Sequence, residues 1–575
     1  MKSTITRKEI ENRYKLKGDL TLKKMWRFLP FMIMTNLSNL LLVSVDGLVV
    51  GNFVGADALS AVSIFNPIII TIGVFSALLS SGISTYLSVC MGGNDAEEIA
   101  RVKHASVVMT IVSAILVGII QIPIASALIH SYGLSKEMTE LTWQYATGVM
   151  ISMPFGLIST VGVCQLQIVG KMKALMWLAV IEGVTNLVLD LIFVGAMHMG
   201  VAGGGYGTAC ANVVRATLTV TYIYKKTDIY TSQKIRAGFK QVKEILKSGL
   251  PECANSTMLA VQNVIIVMIL LDVFGKDGGV IRGVCTFALS LVMVAVNGVQ
   301  GSVRPLVGLY TGFKGWESLR ILVKQAKDIM ASIVGIISLI IIIFPEFIYN
   351  IHGVDKIPEF GVESLRIFSL CFILKGFNAI YRLYFANRGK AHFSSAVTVA
   401  GSLIMPIAAF IISKSNVPYL LWISYFLSEF FIWGRNYYQY QKIRKADEEE
   451  EEQKGLIRMT LKPDQASQAS HDMMKYAEEN HMNSNIAYKM GLCIEEMVAY
   501  AKAASKKDTI DIQIIIRFYE NEGIFMMIDD GACLSLNTDK HSQELITDNY
   551  ELLKKLCKSY EYTNIIDLNY TTFVF

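Results

Sequence analysis

Two acidic residues, Asp46 and Asp190, lie inside long apolar segments, where a charged side chain is costly unless it is paired or hydrated. Counted along the predicted helices, they lie about five and about seven residues before the same outer face of the membrane. Asn186 precedes Asp190 by one helical turn, and Thr208 reaches a similar depth in the next, antiparallel segment. The four side chains are therefore expected to share one layer.

The chemistry of this layer is that of a cation site. Two carboxylates, an amide oxygen and a hydroxyl form an all-oxygen set, which suits a hard cation such as Na⁺. Because two close carboxylates repel each other, one of them could carry a proton instead. A second interpretation remains open, in which these groups only join helices through hydrogen bonds.

Two buried ion pairs are also predicted from depth. Glu182 lies about 12 Å below Asp190, and Arg215 lies at nearly that depth in the antiparallel helix. In the second half of the chain, Lys375 and Glu429 both fall near the middle of the membrane. A hydrogen-bonded pair offsets much of the cost of burying each charge. The alternative is that each charge faces a water-filled cleft alone.

The composition shows which elements must hold these residues. Of 575 residues, 53% are hydrophobic and only 18% are charged, against about a quarter charged in soluble domains. The segments 58–94, 105–131 and 141–170 contain no Lys, Arg, Asp or Glu and exceed the roughly 18 residues that cross a bilayer. This pattern favours a polytopic membrane protein over a soluble protein with buried helices.

Twelve membrane spans are predicted. With the N-terminus in the cytoplasm, most loop Lys and Arg residues fall on the cytoplasmic side, as the positive-inside rule requires. Both termini are then cytoplasmic. The predicted spans are 28–51, 58–92, 105–130, 141–168, 174–197, 200–224, 248–272, 280–312, 327–351, 362–386, 392–413 and 416–440.

The two halves of this membrane part repeat one another. The Gly-Ala-Asp at 55–57 returns as Gly-Lys-Asp at 275–277, and Gly92 returns as Gly312, both 220 residues later. Six spans in each half is an even number, so the halves have the same orientation. They form parallel repeats about an axis along the membrane normal, which places the substrate path between two lobes.

Several motifs resemble one known family. Val45 to Gly51, followed by Val54 to Leu59, is similar to the first-helix signature of the multidrug and toxic compound extrusion (MATE) transporters, closest to their prokaryotic branch. Asn186 to Asp190 and Gly200 to Gly203 resemble the fifth and sixth helices of that family. The resemblance implies export of organic, often cationic, compounds driven by Na⁺ or H⁺. It also implies an N-lobe cation site with an equivalent Asp, Asn, Asp and Thr, no other cofactor, and no enzyme activity.

The segment 456–575 has the alternation of a small α+β domain. Glu496 on a helix and Asp529 to Gly531 after a strand resemble the histidine-kinase-like ATPase fold of anti-sigma factors. In that family an Asn four residues after the Glu holds Mg²⁺. Here the position is Tyr500, whose phenol cannot chelate Mg²⁺ as an amide oxygen does. We therefore expect a degenerate nucleotide site and a regulatory or scaffolding role.

The sequence as a whole predicts an all-α polytopic protein of the cell membrane, with twelve helices in two six-helix pseudo-symmetric lobes and a small α+β C-terminal cytosolic domain. The expected partners are a small organic substrate, a coupling cation, the lipid bilayer and a cytosolic protein that binds the C-terminal domain, but no nucleic acid. The predicted domains are a basic cytosolic N-terminal arm (1–27), an N-lobe (28–224), a cytosolic linker (225–247), a C-lobe (248–440), a charged linker (441–455) and the ATPase-like domain (456–575).

Two functions stay open at this point. The first is a cation-coupled secondary antiporter that exports small organic compounds, cationic or amphipathic in character. The second is a membrane-bound signalling or regulatory protein whose C-terminal domain binds a cytosolic partner.

Overall fold

The computed structural model describes residues 6–14, 20–93, 95–131, 134–227, 229, 235–354, 356–414, 417–453, 456–505, 510–519, 522–532 and 552–575. In the segments 43–48, 51–52 and 56–60 only the helical backbone is described. The chain divides into two compact units. One is Arg27–Tyr440, and the other combines Met1–Trp26 with Gln441–Phe575.

Long helices make up the larger unit. The helices up to residue 453 are α1 (Arg7–Arg13), α2 (Leu20–Phe53), α3 (Ala56–Gly93), α4 (Ala96–Ser131), α5 (Lys136–Ile168), α6 (Met172–Asp190), α7 (Gly200–Lys226), α8 (Phe239–Phe274), α9 (Lys276–Gly312), α10 (Trp316–Ile343), α11 (Pro345–Ile351), α12 (Gly361–Ser369), α13 (Phe372–Asn387), α14 (Ala391–Ser413) and α15 (Ile423–Gln453). A π-helical turn, Leu191–Ala196, continues α6.

Among the described residues, 9 helical stretches are long and apolar enough to cross a membrane. Helices α2, α7 and α15, which correspond to the first, sixth and last predicted spans, are not among the nine. Helix α7 begins in a glycine-rich segment and ends in two lysines, and α15 continues into a run of glutamates. These polar and small residues lower the hydropathy of both helices. The structure is thus a mostly helical, multi-pass membrane fold, and the count of twelve spans stays a prediction.

The internal repeat is visible where α3 and α9 cross. A Cβ atom on Gly92 would lie 2.1 Å from the carbonyl oxygen of Leu309, and one on Gly312 would lie 2.2 Å from that of Val89. Positions 89 and 309 are also 220 residues apart, so the repeat offset exchanges the two contacts. Glycine is required at both positions because any side chain would overlap with the facing backbone. The two helices therefore cross about a pseudo-twofold axis.

The smaller unit contains one antiparallel sheet with strand order β1-β2-β3-β5-β4. Its strands are β1 (Leu456–Leu461), β2 (Ile512–Phe518), β3 (Gly523–Asp529), β4 (Ser559–Ile565) and β5 (Leu568–Val574). The helices α16 (Ala466–Glu479) and α17 (Ser484–Ala504) share a hydrophobic core with the sheet, which includes Met473, Met497 and Phe525. The predicted α+β character of this segment agrees with this arrangement.

The N-terminal arm forms part of the same core. Ile10 and Tyr14, one turn apart on α1, are only 1% and 3% exposed and belong to the hydrophobic cluster of the sheet. The backbone carbonyl of Tyr14 accepts a hydrogen bond from the Thr460 amide in β1 at 2.8 Å. Residues 1–27 were expected to form a separate basic arm. Helix α1 instead packs into the C-terminal domain, because its two apolar residues share one helical face.

Asp472, which lies on α16, holds the C-terminal end of α1 in place. It accepts hydrogen bonds from the Tyr14 hydroxyl and the Arg13 guanidinium, each at 2.7 Å. Burial disfavours the charged carboxyl, but hydrogen bonds from Tyr14, Gln468 and Arg13 outweigh it and lower the pKa of Asp472. The contact therefore contributes stability above the usual pKa of an aspartate and loses it as the pH falls through the lowered value.

Truncating Ile10 tests this packing. Ile10→Ala in the full chain is expected to destabilise the smaller unit by about 2–5 kcal/mol, the usual cost of emptying a buried isoleucine site. Hydrogen exchange of peptides from β1 and α16 should then become faster. Asn12→Ala, on the exposed face of the same helix, is the control and should leave this exchange unchanged. Equal exchange rates in both variants would contradict the packing of α1.

Candidate functional site

The predicted cation layer lies between α6 and α7. Asn186 and Asp190 are 1% and 0% exposed. The Asn186 side-chain amide donates to the Thr208 hydroxyl at 3.5 Å, and the Asn186 carbonyl oxygen has no hydrogen-bond partner among the described residues. The structure therefore brings three of the four predicted residues to one helix interface. The fourth, Asp46, lies in α2, but its side chain falls outside the described residues.

Gly207 on α7 is a further member of this site. A Cβ atom at this position would lie 2.0 Å from Oδ1 of Asp190. Helix α7 must therefore present bare backbone for the carboxylate to fit. The spacing of Gly203 and Gly207, one turn apart on the same helical face, could have signalled this close approach.

The first predicted ion pair lies one layer deeper. The Arg215 guanidinium donates to the Glu182 carboxylate, and their side chains are 13% and 4% exposed. Both residues lie on the same two helices as the oxygen layer. This pair balances its own charge, so the Asp190 carboxylate lies above a neutral pair.

The second predicted pair connects α13 and α15. The Lys375 ammonium donates to Oε1 of Glu429 at 2.7 Å. Asn378 donates to the other carboxylate oxygen at 2.8 Å and to the Glu429 backbone carbonyl at 3.0 Å. Sequence analysis missed Asn378. Its spacing of three residues from Lys375 places both on one helical face and could have indicated the shared partner.

A cavity of about 390 Å³ lies between the two lobes, where the internal repeat places the expected substrate path. Residues of α2, α3, α5, α8 and α9 line it, among them Glu252 and Arg304. Gln300 donates to Oε1 of Glu252 at 2.9 Å, and Arg382 on α13 lies 3.6 Å from its other oxygen. The cavity is large enough for a small organic molecule.

In the predicted nucleotide site of the C-terminal domain, the Asp529 carboxylate already accepts hydrogen bonds from the domain itself. Oδ1 of Asp529 accepts hydrogen bonds from the Gly531 amide at 2.9 Å and from the Asn569 side chain at 2.8 Å. Glu496 and Tyr500 lie one turn apart on α17, and Tyr500 packs against the domain core. Burial raises the pKa of the Tyr500 phenol, which therefore stays neutral.

Among the described residues, no group of three or more His, Cys, Asp or Glu side chains is arranged to hold a metal ion.

Comparison with known proteins points to one family. Residues 32–192 match the MatE family model. The multidrug export protein MepA of Staphylococcus haemolyticus is 20% identical over 378 residues, which is 65% of this chain and 83% of that protein. The probable multidrug resistance protein YoeA of Bacillus subtilis is 20% identical over 358 residues, covering 60% of this chain and 77% of that protein.

Solved structures share the fold. An outward-facing multidrug resistance MATE family transporter of the MOP superfamily aligns with a TM-score of 0.70 at 20% identity, covering 78% of this chain and 100% of that one. The matched proteins are transporters and not enzymes, in agreement with the prediction from the sequence. The membrane unit of this chain thus shares the fold of these MATE structures.

Proposed function

We propose that the chain is a secondary antiporter that exports small organic compounds by alternating access, driven by inward flow of Na⁺ or H⁺. The resemblance to multidrug export proteins and the MATE fold support export. The oxygen layer between α6 and α7 carries the coupling proposal, because its Asp190 is fully buried. A buried carboxylate is costly as an anion, and binding a cation or a proton removes that cost.

Each member of the layer has a separate task in this proposal. Asp190 carries the charge, and Asp46 supplies the second carboxylate. Asn186 and Thr208 offer neutral oxygens. Gly207 allows α6 and α7 to approach closely enough for both oxygens to contact the cation. Because neutralised Asp190 tolerates burial better than the anion, cation binding shifts the balance between two packings of these helices. Such a shift is what couples the ion to the substrate path.

The two ion pairs have a supporting role in the proposal. Glu182 with Arg215, and Lys375 with Glu429, stay neutral as pairs in both states of the transport cycle. They hold α6 to α7 and α13 to α15 without adding net charge to the membrane interior. The coupling site can then respond to one cation at a time.

Transport by the full chain in proteoliposomes tests the function. A fluorescent organic dye is loaded, and either a Na⁺ gradient at equal pH or a pH gradient without Na⁺ is imposed. We expect dye export under at least one gradient and none without a gradient. Export under one gradient alone would also identify the coupling ion. Absence of export under both gradients, for cationic and anionic dyes alike, would contradict the proposed function.

We further propose that residues 456–575 form a degenerate histidine-kinase-like ATPase domain in the cytosol, which regulates the transporter or recruits a cytosolic protein. The antiparallel sheet with two covering helices supports this, as does the loop Asp529 to Gly531 after β3. A signalling role for the whole protein is the second candidate. The packing of α1 into this domain favours it, because a partner bound there could also contact α1.

The degenerate site predicts weak nucleotide binding. The full-length protein should bind ATP with Mg²⁺ no more tightly than about 1 mM, equivalent to about −4 kcal/mol, because Tyr500 replaces the metal-binding amide. Equilibrium dialysis with labelled ATP measures this directly. Tyr500→Asn is the matched variant and should tighten Mg²⁺-dependent binding if only this ligand is missing. Micromolar binding by the unmodified protein would show that the site is intact.

A further inference from the structure

The described ionised side chains that line the cavity between the lobes all belong to the C-lobe. Glu252 and Arg304 are the two ionised side chains among the described residues that line it. The residues 220 positions earlier, at the equivalent places in the N-lobe, are Met32 and Ser84. Met32 also lines the cavity, and the Ser84 hydroxyl accepts a hydrogen bond from Arg304 at 3.2 Å. The N-lobe thus has an apolar residue where the C-lobe has an anion, and a neutral polar residue where the C-lobe has a cation.

The charges around Glu252 are not balanced one to one. Glu252 lies 3.6 Å from the guanidinium of Arg382, whose side chain is 7% exposed, and it also interacts electrostatically with Arg304. Arg382 also interacts with Glu429, which is paired with Lys375, so three cationic groups share two carboxylates. Arg304 itself is hydrogen-bonded to hydroxyls, those of Ser84 and, at 3.5 Å, Ser81. Within the described part of the chain, no carboxylate lies within 4.0 Å of its guanidinium.

Arg304 lines the cavity without a carboxylate in contact among the described residues, and such a guanidinium favours an anionic oxygen group on the ligand. Guanidinium binds carboxylates through two parallel hydrogen bonds, and such bonds are stronger than neutral ones. Serine hydroxyls and the Gln300 and Asn297 amides supply further hydrogen-bonding groups around the cavity. An organic cation without an acidic group would instead place like charge beside Arg304.

We propose that this cavity binds small organic molecules that carry a carboxylate, with Arg304 as the carboxylate-binding residue and Glu252 facing any basic nitrogen of the same molecule. The proposal names the substrate class of the proposed export function and rests on that function for its physiological meaning. It differs from the cationic cargo that the sequence analysis favoured. The specificity comes from the C-lobe alone, because the repeat has no charge at the equivalent positions.

Two dyes that differ in one group provide the test: a rhodamine with a free benzoate and its methyl ester. Binding to the purified full-length protein is measured by fluorescence polarisation. We expect the acid to bind about tenfold more tightly than the ester, since a charge-assisted hydrogen bond contributes about that factor. Arg304→Gln should weaken binding of the acid about tenfold and change binding of the ester by less than about threefold.

Two further variants keep this test decisive. Arg304→Lys retains the charge and should keep the preference for the acid if Arg304→Gln fails to fold. Arg366→Gln removes an exposed guanidinium of the same lobe, away from the cavity lining, and should change neither dye. Equal or tighter binding of the ester by the unmodified protein would overturn the proposal. Equal weakening of both dyes in Arg304→Gln would overturn it as well.

Transport of the same two dyes in proteoliposomes separates this inference from the proposed function. Preferential binding of the acid without gradient-driven transport of either dye would contradict export and support the charge preference of the cavity. Gradient-driven transport of both dyes at equal rates, with equal affinities, would support export and overturn the inference.

Discussion

Asp190→Asn is expected to abolish gradient-driven export while the protein still folds and reaches the membrane. The amide has nearly the shape of the carboxylate, so the close fit against Gly207 is preserved. It cannot carry a negative charge, however, and therefore neither binds a cation strongly nor takes up a proton. A loss of at least about a hundredfold in gradient-driven transport is expected, which corresponds to about 2.7 kcal/mol. Asp46→Asn should have the same effect if Asp46 completes the layer.

The control for this prediction is Asp272→Asn, which removes an exposed carboxylate from α8. It should transport at the rate of the unmodified protein. Transport is measured as dye export from proteoliposomes, with protein amount and orientation determined for each variant. Normal gradient-driven export by both Asp46→Asn and Asp190→Asn would remove the proposed coupling site.

Breaking the pair between Lys375 and Glu429 should destabilise the C-lobe strongly. Each side chain is nearly buried, at 9% and 11% exposure, so removing one partner leaves a charge in the membrane interior. Lys375→Met or Glu429→Gln alone is expected to cost about 3–5 kcal/mol. The double variant should be more stable than the sum of the single losses predicts, because it leaves no uncompensated charge. Glu429→Gln keeps an oxygen that accepts the hydrogen bond from Asn378. The variant therefore removes only the negative charge.

Thermal unfolding of the purified protein gives the coupling energy through a double-mutant cycle. The exposed pair of Arg444 and Glu448 on α15 is the reference, and its coupling should stay below about 0.5 kcal/mol. A coupling at Lys375 and Glu429 as small as this would show that the two charges act independently. The same double-mutant cycle on Glu182 and Arg215 should again give a large coupling energy.

Periodicity made the N-lobe layer predictable. Asn186 and Asp190 are four residues apart, and Thr208 lies in the following antiparallel helix, so depth alone placed them together. The charged cavity was not predictable in this way. Apolarity placed the start of the seventh span at 248, which made Glu252 a residue near the membrane surface. Helix α8 in fact begins at Phe239, because the polar residues before the apolar segment continue the same helix.

Long-range packing could not be predicted either. In the sequence, Arg304 is a single charged residue among small residues. Its role becomes visible only in the structure, where it lies opposite Ser84 across the pseudo-twofold axis. Ile10 and Tyr14 form a two-residue apolar face within a strongly basic segment, which composition alone assigns to solvent or to the lipid surface. Their partner is a domain more than four hundred residues away in sequence, and local patterns do not carry such information.

This separation has a consequence for biosynthesis. Tyr14 and its hydrogen-bond partner Asp472 are 458 residues apart, so the ribosome makes one early and the other only after the whole membrane part. Helix α1 has no surface to cover Ile10 and Tyr14 until β1 and α16 have been translated. A chain that stops within the membrane helices leaves these two side chains in water, where chaperones and proteases recognise exposed apolar residues. These two side chains are therefore covered only once translation has reached the C-terminal domain.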